Sequence, residues 1–405
     1  MTNSPNPGTE PTPNPRPRWP QRLRRIAIPI GVVSLAGLAG GAWWGWIFVT
    51  QELAPLIQTN LSQALKRPVQ LGQVERFSLT GIRFGPSAVP ATATDRDRLT
   101  LAAIDVKFNP LRVLLTRNLN LDITAEKPQI YLEQAQDGTW ISTQIEQEED
   151  QGPIRTDIEA IHFEDASVVL VPAGKRGGLA KPVSLAAFSG DVRFFDGNER
   201  ITYEATGRSL TGGTLRLNGE SIRKPLATNI QIQAQNFLVA EVDRLARLPI
   251  DLPAGRANGN ITVQLRPDQK QPELSGTAQF KDVTLKAAQI PKPVTRANGS
   301  LQLAGTRIRL DPTTAFYGSV PALARGELDT QKGFNLAFTV KPVSLKNILE
   351  TLAVTVPVSV AGEIQADLKL TGPIDSPVLS GVARSTRPGK VDQIALSQYG
   401  TRFQL

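Results

Sequence analysis

One histidine and no cysteine set the limits on side-chain chemistry in this 405-residue chain. His162 sits in Ile161-His162-Phe163-Glu164-Asp165 and reads as a solvent-facing strand position. A lone imidazole removes Ser-His-Asp arrangements and most zinc sites, and the absence of thiols removes thiolate metal ligands, thiol nucleophiles and redox pairs. Glu164 and Asp165 are adjacent carboxylates, but neighbouring strand side chains point to opposite faces, so neither serves as the other's acid or base partner. No G-x-S-x-G, G-x-x-x-x-G-K-(S/T) or helix-opening G-x-G-x-x-G occurs. The expectation is a protein that is not an enzyme and uses no cofactor or metal. Its net charge of +8 does not point to nucleic acid either. About half of it lies in an Arg-rich N-terminal tail, and the rest is scattered without a basic face or interleaved aromatics.

What remains to be positioned is apolar surface, and its period is two. Leu119, Leu121, Ile123 and Ala125 alternate with Asn120, Asp122, Thr124 and Glu126. Ile230, Ile232 and Ala234 alternate with glutamines, and Ile364, Ala366, Leu368 and Leu370 with Gln365, Asp367 and Lys369. Such strands have one dry and one wet face and belong to antiparallel sheets. Asp137-Gly138, Asp196-Gly197-Asn198, Gly212-Gly213 and Asn258-Gly259 read as the turns between them. Alternation alone nominates Leu119, Leu121, Ile123, Ile230, Ile232, Ile261, Val263, Leu265, Phe334, Leu336, Phe338, Ile364 and Leu368 for the dry face. Few helices are available to cover some twenty strands, so the sheet must curl on itself. Closed, it is a barrel or sandwich with a packed core; left open, it is an apolar trough, costly in water at about 25 cal/mol per Å² unless apolar ligands fill it.

At the other end of the chain, Ile26 to Val49 runs 24 residues without a charge, enough for a helix to cross a bilayer. Arg16, Arg18, Arg22, Arg24 and Arg25 precede it, which predicts a cytoplasmic N-terminus and the bulk of the chain outside. Trp43, Trp44 and Trp46 near the outer end suit the headgroup level. A cleaved signal would close after an apolar core of about 7–15 residues, whereas here the run continues ten residues past Ala39, so a retained anchor is expected. Gly37, Gly41 and Gly45 form a small-residue stripe that would let another helix approach. Residues 1–25 are Pro- and Arg-rich and extended. Leu53, Leu56, Ile57, Leu61, Ala64 and Leu65 predict an amphipathic helix stopped by Pro68, which lies on the bilayer or caps a sheet.

An internal repeat organises the second half. Pro272-Glu273-Leu274-Ser275-Gly276 returns 105 residues later as Pro377-Val378-Leu379-Ser380-Gly381. Each copy follows an Ile-x-(Val or Ala)-x-Leu strand and, before it, a short amphipathic helix carrying Val242, Leu245 and Ala246 or Leu345, Ile348, Leu349 and Leu352. Arg256-Ala257-Asn258-Gly259 also recurs as Arg296-Ala297-Asn298-Gly299. Units repeated in this way bury one another's apolar faces. The acidic run Glu146 to Asp150 reads as a linker. The expected division is a cytoplasmic tail (1–25), a transmembrane helix (26–49), a helix plus β-region (50–146), a β-groove region (147–235), a first repeat (236–340) and a second, truncated one (341–405). The fold class is mainly β, an elongated repetitive antiparallel groove with a few short helices. Truncation mid-repeat predicts an N-terminal piece of a longer protein whose last strand is an edge.

The basic N-terminus, single apolar span, Leu61-Ser62-Gln63-Ala64-Leu65-Lys66-Arg67-Pro68-Val69 and Val74-Glu75-Arg76-Phe77-Ser78-Leu79-Thr80-Gly81-Ile82 together resemble the opening of AsmA-like proteins. Phe108-Asn109-Pro110-Leu111, Pro128-Gln129-Ile130-Tyr131-Leu132-Glu133 and Asp137-Gly138-Thr139-Trp140-Ile141 more narrowly resemble cyanobacterial TamB, the inner-membrane subunit of the translocation and assembly module. The resemblance covers most of the chain after residue 20. It implies an inner-membrane anchor, a periplasmic β-groove with an apolar lining, membrane lipids and an Omp85-family barrel as partners, and roles in outer-membrane protein assembly or phospholipid traffic. It also implies that the family's C-terminal domain, which engages the barrel, is missing here. A lipid-conducting bridge, a strand-addition scaffold for polypeptides and an anchored structural protein without cargo all fit the residues.

Overall fold

The structure, a computed structural model, describes Ser62 and residues 67–404 except 94, 139, 141–154, 176, 247, 249, 268–271 and 288–289. The N-terminal tail, Ile26 to Val49 with its glycines and tryptophans, nearly all of the helix expected over Leu53 to Leu65, and the acidic run Glu146 to Asp150 lie outside the described residues. Among the described residues no helix is long and apolar enough to cross a membrane.

The alternating segments form strands. The chain opens with β1 (Val74–Ser78), β2 (Gly81–Phe84), β3 (Ser87–Val89), β4 (Arg98–Leu101) and β5 (Ala103–Lys107), then helix α1 (Pro110–Thr116). Next come β6 (Asn118–Glu126), β7 (Gln129–Glu133), β8 (Arg155–Val171), β9 (Val183–Phe195), β10 (Arg200–Ser209), β11 (Thr214–Ile222) and β12 (Ala227–Leu238). Helix α2 (Val239–Ala246) precedes β13 (Asp251–Leu265), β14 (Glu273–Lys286), β15 (Val294–Ala304), β16 (Arg307–Tyr317), β17 (Val320–Asp329) and β18 (Gly333–Ser344). Helix α3 (Leu345–Leu352) then leads to β19 (Val360–Ala361), β20 (Glu363–Gly372), β21 (Val378–Ser385), β22 (Gly389–Val391), β23 (Ile394–Leu396) and β24 (Gly400–Gln404). Helix α2 thus returns as α3, and β12 to β15 have counterparts in β18, β20, β21 and β24. The small sheet β19-β22-β23 stands apart.

The large sheet is a line of neighbours with one branch. It runs β1-β2-β5-β6-β8-β9, takes every strand in order to β18, and continues through β20 and β21 to β24. A branch, β3-β4-β7, joins the second half of β8. The expectation of antiparallel pairing fails at two places: β6 and β7 both lie parallel to β8. A break falls at Lys127-Pro128, where Lys127 has φ 47°. It divides one long edge into two collinear strands, and the connection over 134–154 is long enough for the return that a parallel pair requires. Among the described residues no pairing joins β1 to β24, so hydrogen bonding leaves this sheet open rather than closed into a barrel.

A line of β-bulges crosses the sheet. Extra residues fall between Phe163 and Ala166 in β8, Ala234 and Phe237 in β12, Phe280 and Val283 in β14, Thr295 and Asn298 in β15, and Val340 and Val343 in β18. Asp165, Asn236, Asp282 and Arg296 take the left-handed conformation there, one that Asp and Asn tolerate well. Bulges bend a strand and increase its twist. Directly after them Ala166, Phe237, Val283, Ala297 and Val343 are buried. The packed core gathers here, as Val168-Leu185-Phe237, as Val239-Val283-Ala297 beneath the start of α2, and as Val320-Val340-Val343 with Ile348 of α3.

The recurring Arg-Ala-Asn-Gly supports these bends. Asn258-Gly259 is not a turn, as its composition suggests, but lies mid-strand in β13. The Asn258 Oδ1 accepts the Asn236 amide at 2.7 Å, and the Asn298 Oδ1 accepts the Asp282 amide at 3.1 Å. In β12 and β14 the bulge N–H that the ladder cannot use is therefore met by an amide side chain of the next strand, and in β8 the Asp165 N–H is met by the Ser189 Oγ at 3.1 Å. Arg256 adds bonds to the Asn236 and Thr211 carbonyls at 2.7 and 2.9 Å. The turns at Asp137-Gly138, Asp196-Gly197-Asn198 and Gly212-Gly213 are where they were expected.

Candidate functional site: a continuous apolar face

Register alone assembles the site. Following cross-strand partners from β2 to β20 gives Phe84, Ile104, Ala125, Phe163, Gly190, Ala205, Leu217, Ile232, Ile261, Gly276, Leu303, Ile308, Leu328, Phe334 and Gly372, with no polar side chain. A second row on the same face runs Ile82, Val106, Ile123, Ile161, Val192, Tyr203, Gly219, Ile230, Val263 and Leu274. On the other side of the first, Leu215, Ala234, Gly259, Ala278, Leu301, Leu310, Gly326, Leu336, Leu370 and Leu379 make a third. Glycines leave gaps in the rows, and a neighbouring ring fills one of them: a Cβ on Gly219 would stand 2.7 Å from the Tyr203 ring.

The thirteen positions nominated from alternation share this face. Ile232, Ile261 and Phe334 lie in the first row, Ile123, Ile230 and Val263 in the second, and Leu336 in the third. Phe338 and Leu368 are mutual partners one row further on. Leu265 continues the face beyond Val263, opposite Thr228. Ile364 meets Val343 past the β18 bulge. Leu119 and Leu121 are more marginal, at the end of β6 opposite Thr156 and Ile158. All thirteen side chains are half-buried rather than sealed. Leaving a leucine-sized side chain half in water forgoes roughly 1 kcal/mol of burial, so the face is short of apolar partners along its length. Phe84, Phe163, Leu217, Leu303, Ile308 and Leu328 belong to it too. Their signal was the same alternation, as in Leu215-x-Leu217 and Ile308-x-Leu310, in strands whose flanking charges hid it. The anchor residues Ile26, Trp43, Trp44, Trp46 and Val49 are outside the described residues.

One residue along each strand, the opposite face is polar: Arg83, Asp105, Thr124, His162, Asp191, Glu204, Asn218, Gln231, Thr262 and Ser275 are successive partners. From β2 to β9 its charges meet one another. Arg83 forks onto Glu126 at 2.7 and 2.8 Å and also meets Asp105 and Glu75. The bidentate bond to Glu126 raises the guanidinium pKa and holds the Glu126 carboxyl below its ordinary value. His162, read from sequence as solvent-facing, is instead half-buried, with Nδ1 on the Asp191 Oδ1 and Nε2 3.3 Å from the Asp122 Oδ1. The bulge line also borders a cleft of about 970 Å³, but its Arg256, Asn258 and Asn298 are engaged with backbone, which makes it part of the bend.

An open, predominantly antiparallel sheet built of repeats, apolar along one face and polar along the other, defines a class of repetitive β proteins. The family model described as the TamB C-terminal domain matches residues 203–405, and the chain belongs to the TamB family. This corrects the expectation that the family's C-terminal domain is missing here, because the model of that description spans β10 to β24. The chain is 23% identical over 246 residues to "Protein TIC236, chloroplastic" of Arabidopsis thaliana, an alignment covering 57% of this chain and 11% of that protein. The chain thus spans about a tenth of that relative's length. No solved structure matches it.

Proposed function

We propose that the chain is a membrane-anchored bridging protein of outer-membrane biogenesis whose apolar face carries phospholipid acyl chains between membranes. The observation that supports this most is the uninterrupted apolar row from Phe84 to Gly372, half-exposed from Ile104 onward, with a polar face opposite it. An acyl chain would supply the missing apolar partners while its headgroup stayed in water. TamB-family membership supports a role in outer-membrane biogenesis or translocation generally. The anchor is Ile26 to Val49, with the N-terminus in the cytoplasm, the sheet in the periplasm and an Omp85-family barrel as the outer partner. A second reading, addition of a polypeptide strand to the sheet, is favoured by one specific feature: among the described residues β1 is hydrogen-bonded to β2 along only one of its edges.

The test is native mass spectrometry with lipid extraction on the full chain in mild detergent, beside Ile232→Asp/Val263→Asp. Circular dichroism establishes that the variant keeps its strands. Phospholipid that accompanies the wild type and disappears from the folded variant is the expected result. A folded wild type without phospholipid would remove the lipid reading and leave strand addition.

A further inference from the structure

Three leucines stand in water at one end of the sheet. Leu79, in the β1–β2 turn, is 82% exposed, and Leu111 and Leu115, one helical turn apart on α1, are 68% and 82% exposed. Topology brings them together: β2 pairs with β5 through Gly81 and Lys107, the Phe108 amide donates to the Thr80 carbonyl at 3.0 Å, and α1 begins at Pro110. Asn109 caps α1, its Oδ1 accepting from the Leu111 and Arg112 amides at 3.1 and 3.2 Å. The two segments that form this tip, Arg76 to Gly81 and Lys107 to Arg117, contain Arg76, Lys107, Arg112 and Arg117 and no acid. All four cations are exposed. The nearest carboxylates, Asp105 and Glu159, lie 3.4 Å from Arg76 and 3.8 Å from Arg112.

We infer that this tip docks on the surface of an anionic phospholipid bilayer, with Leu79, Leu111 and Leu115 entering the headgroup boundary and the four cations meeting lipid phosphates. Exposed leucines ringed by cations are the composition that holds a segment at a membrane interface. The chain also supplies the membrane: Arg67 follows Val49 by 18 residues, a tether on the order of 60 Å at full extension. The inference rests on the reading of Ile26 to Val49 as a membrane span. It is independent of what the apolar face carries.

The cysteine-free chain makes the test direct. Leu79→Cys, Leu115→Cys and, as control, Leu210→Cys, also well exposed but in the β10–β11 turn, are labelled with an environment-sensitive fluorophore in the full chain. They are then reconstituted into vesicles of phosphatidylcholine with or without phosphatidylglycerol, carrying a shallow spin-labelled lipid. Docking predicts a blue shift and quenching at positions 79 and 115 and neither at 210. Both effects should weaken when phosphatidylglycerol is omitted, and the signal at 79 should be lost when Leu111 and Leu115 are changed to Asp. Labels at 79 and 115 that behave like the control in vesicles that retain the chain would overturn it. So would a blue shift that persists in detergent and grows with protein concentration, which would assign the tip to a second copy of the chain. Resistance to alkaline carbonate reports separately on Ile26 to Val49, and lipid extraction on the apolar face.

Discussion

Replacing Asn258 by Ala removes one acceptor from one bulge. In the wild type the Asn236 amide, left over by the extra residue in β12, is held at 2.7 Å by the Asn258 Oδ1. Asn236 and Asn258 are both exposed, so water can take over part of the bond. The loss is then the net worth of a hydrogen bond, about 0.5–1.5 kcal/mol, not the larger penalty of a stranded buried donor. Because a repeated sheet need not unfold as one unit, global melting would blur the effect. The local readout is hydrogen exchange at the Asn236 amide, expected to quicken roughly two- to tenfold, while exchange at Asp282, served by Asn298 two strands away, stays unchanged. Asn258→Asp keeps an acceptor oxygen and should restore protection. If Asp is as damaging as Ala, or if the Asn236 amide does not respond, the Asn side chain is not what supports the bulge.

Other substitutions test neighbouring parts of the argument. The twin glycines of Arg-Ala-Asn-Gly should differ: a Cβ on Gly299 would lie 2.1 Å from the Thr313 Oγ1, while nothing approaches a Cβ on Gly259 closer than 3.6 Å. By denaturant titration Gly299→Ala should therefore cost about 1–3 kcal/mol, and Gly259→Ala should be neutral or slightly stabilising. Phe237→Ala, at a site 5% exposed between Val168 and Leu185, should lose about 3–5 kcal/mol in the same titration. The Glu126 carboxyl, held down by Arg83, stabilises the fold fully above its ordinary value of 4.5 and ceases to do so as pH falls through the lowered folded value. Glu126→Gln should accordingly flatten the acid limb of a plot of stability against pH, and an unchanged limb would remove Glu126 from the account.

Strand positions and the dry face were legible because period-two alternation survives in Ile230 to Gln235 and Ile364 to Leu370. The repeat was legible because α2 and α3 each precede a matching strand. What misled was chemistry shared between two backbone devices. Asn-Gly marks a tight turn when the chain reverses, yet Asn258 spends its side chain on a neighbour's bulge in the middle of β13, and only the partner strand reveals which. The parallel pairs could not be read, since whether β6 meets β8 depends on where the chain goes after residue 133. Helix α1 did leave a signal, Asn109 as a cap followed by Pro110 in the first turn. His162 was misplaced because its carboxylates, Asp122 and Asp191, are distant in sequence and arrive through β6 and β9.

From one capping helix to the next the chain adds six strands, β13 to β18. At about 4.8 Å between neighbours, that is on the order of 30 Å of contour for each duplication. Asn258 and Asn298 brace the bends at Asn236 and Asp282 from the adjacent strand, and one repeat later the β18 bulge recurs with Glu363 and Phe403 at the equivalent positions, so each copy rebuilds its bend locally. Reach is therefore counted in whole units. Such a sheet can be lengthened by tandem duplication, without redesigning a core, and deletion of one unit should shorten it by the same step.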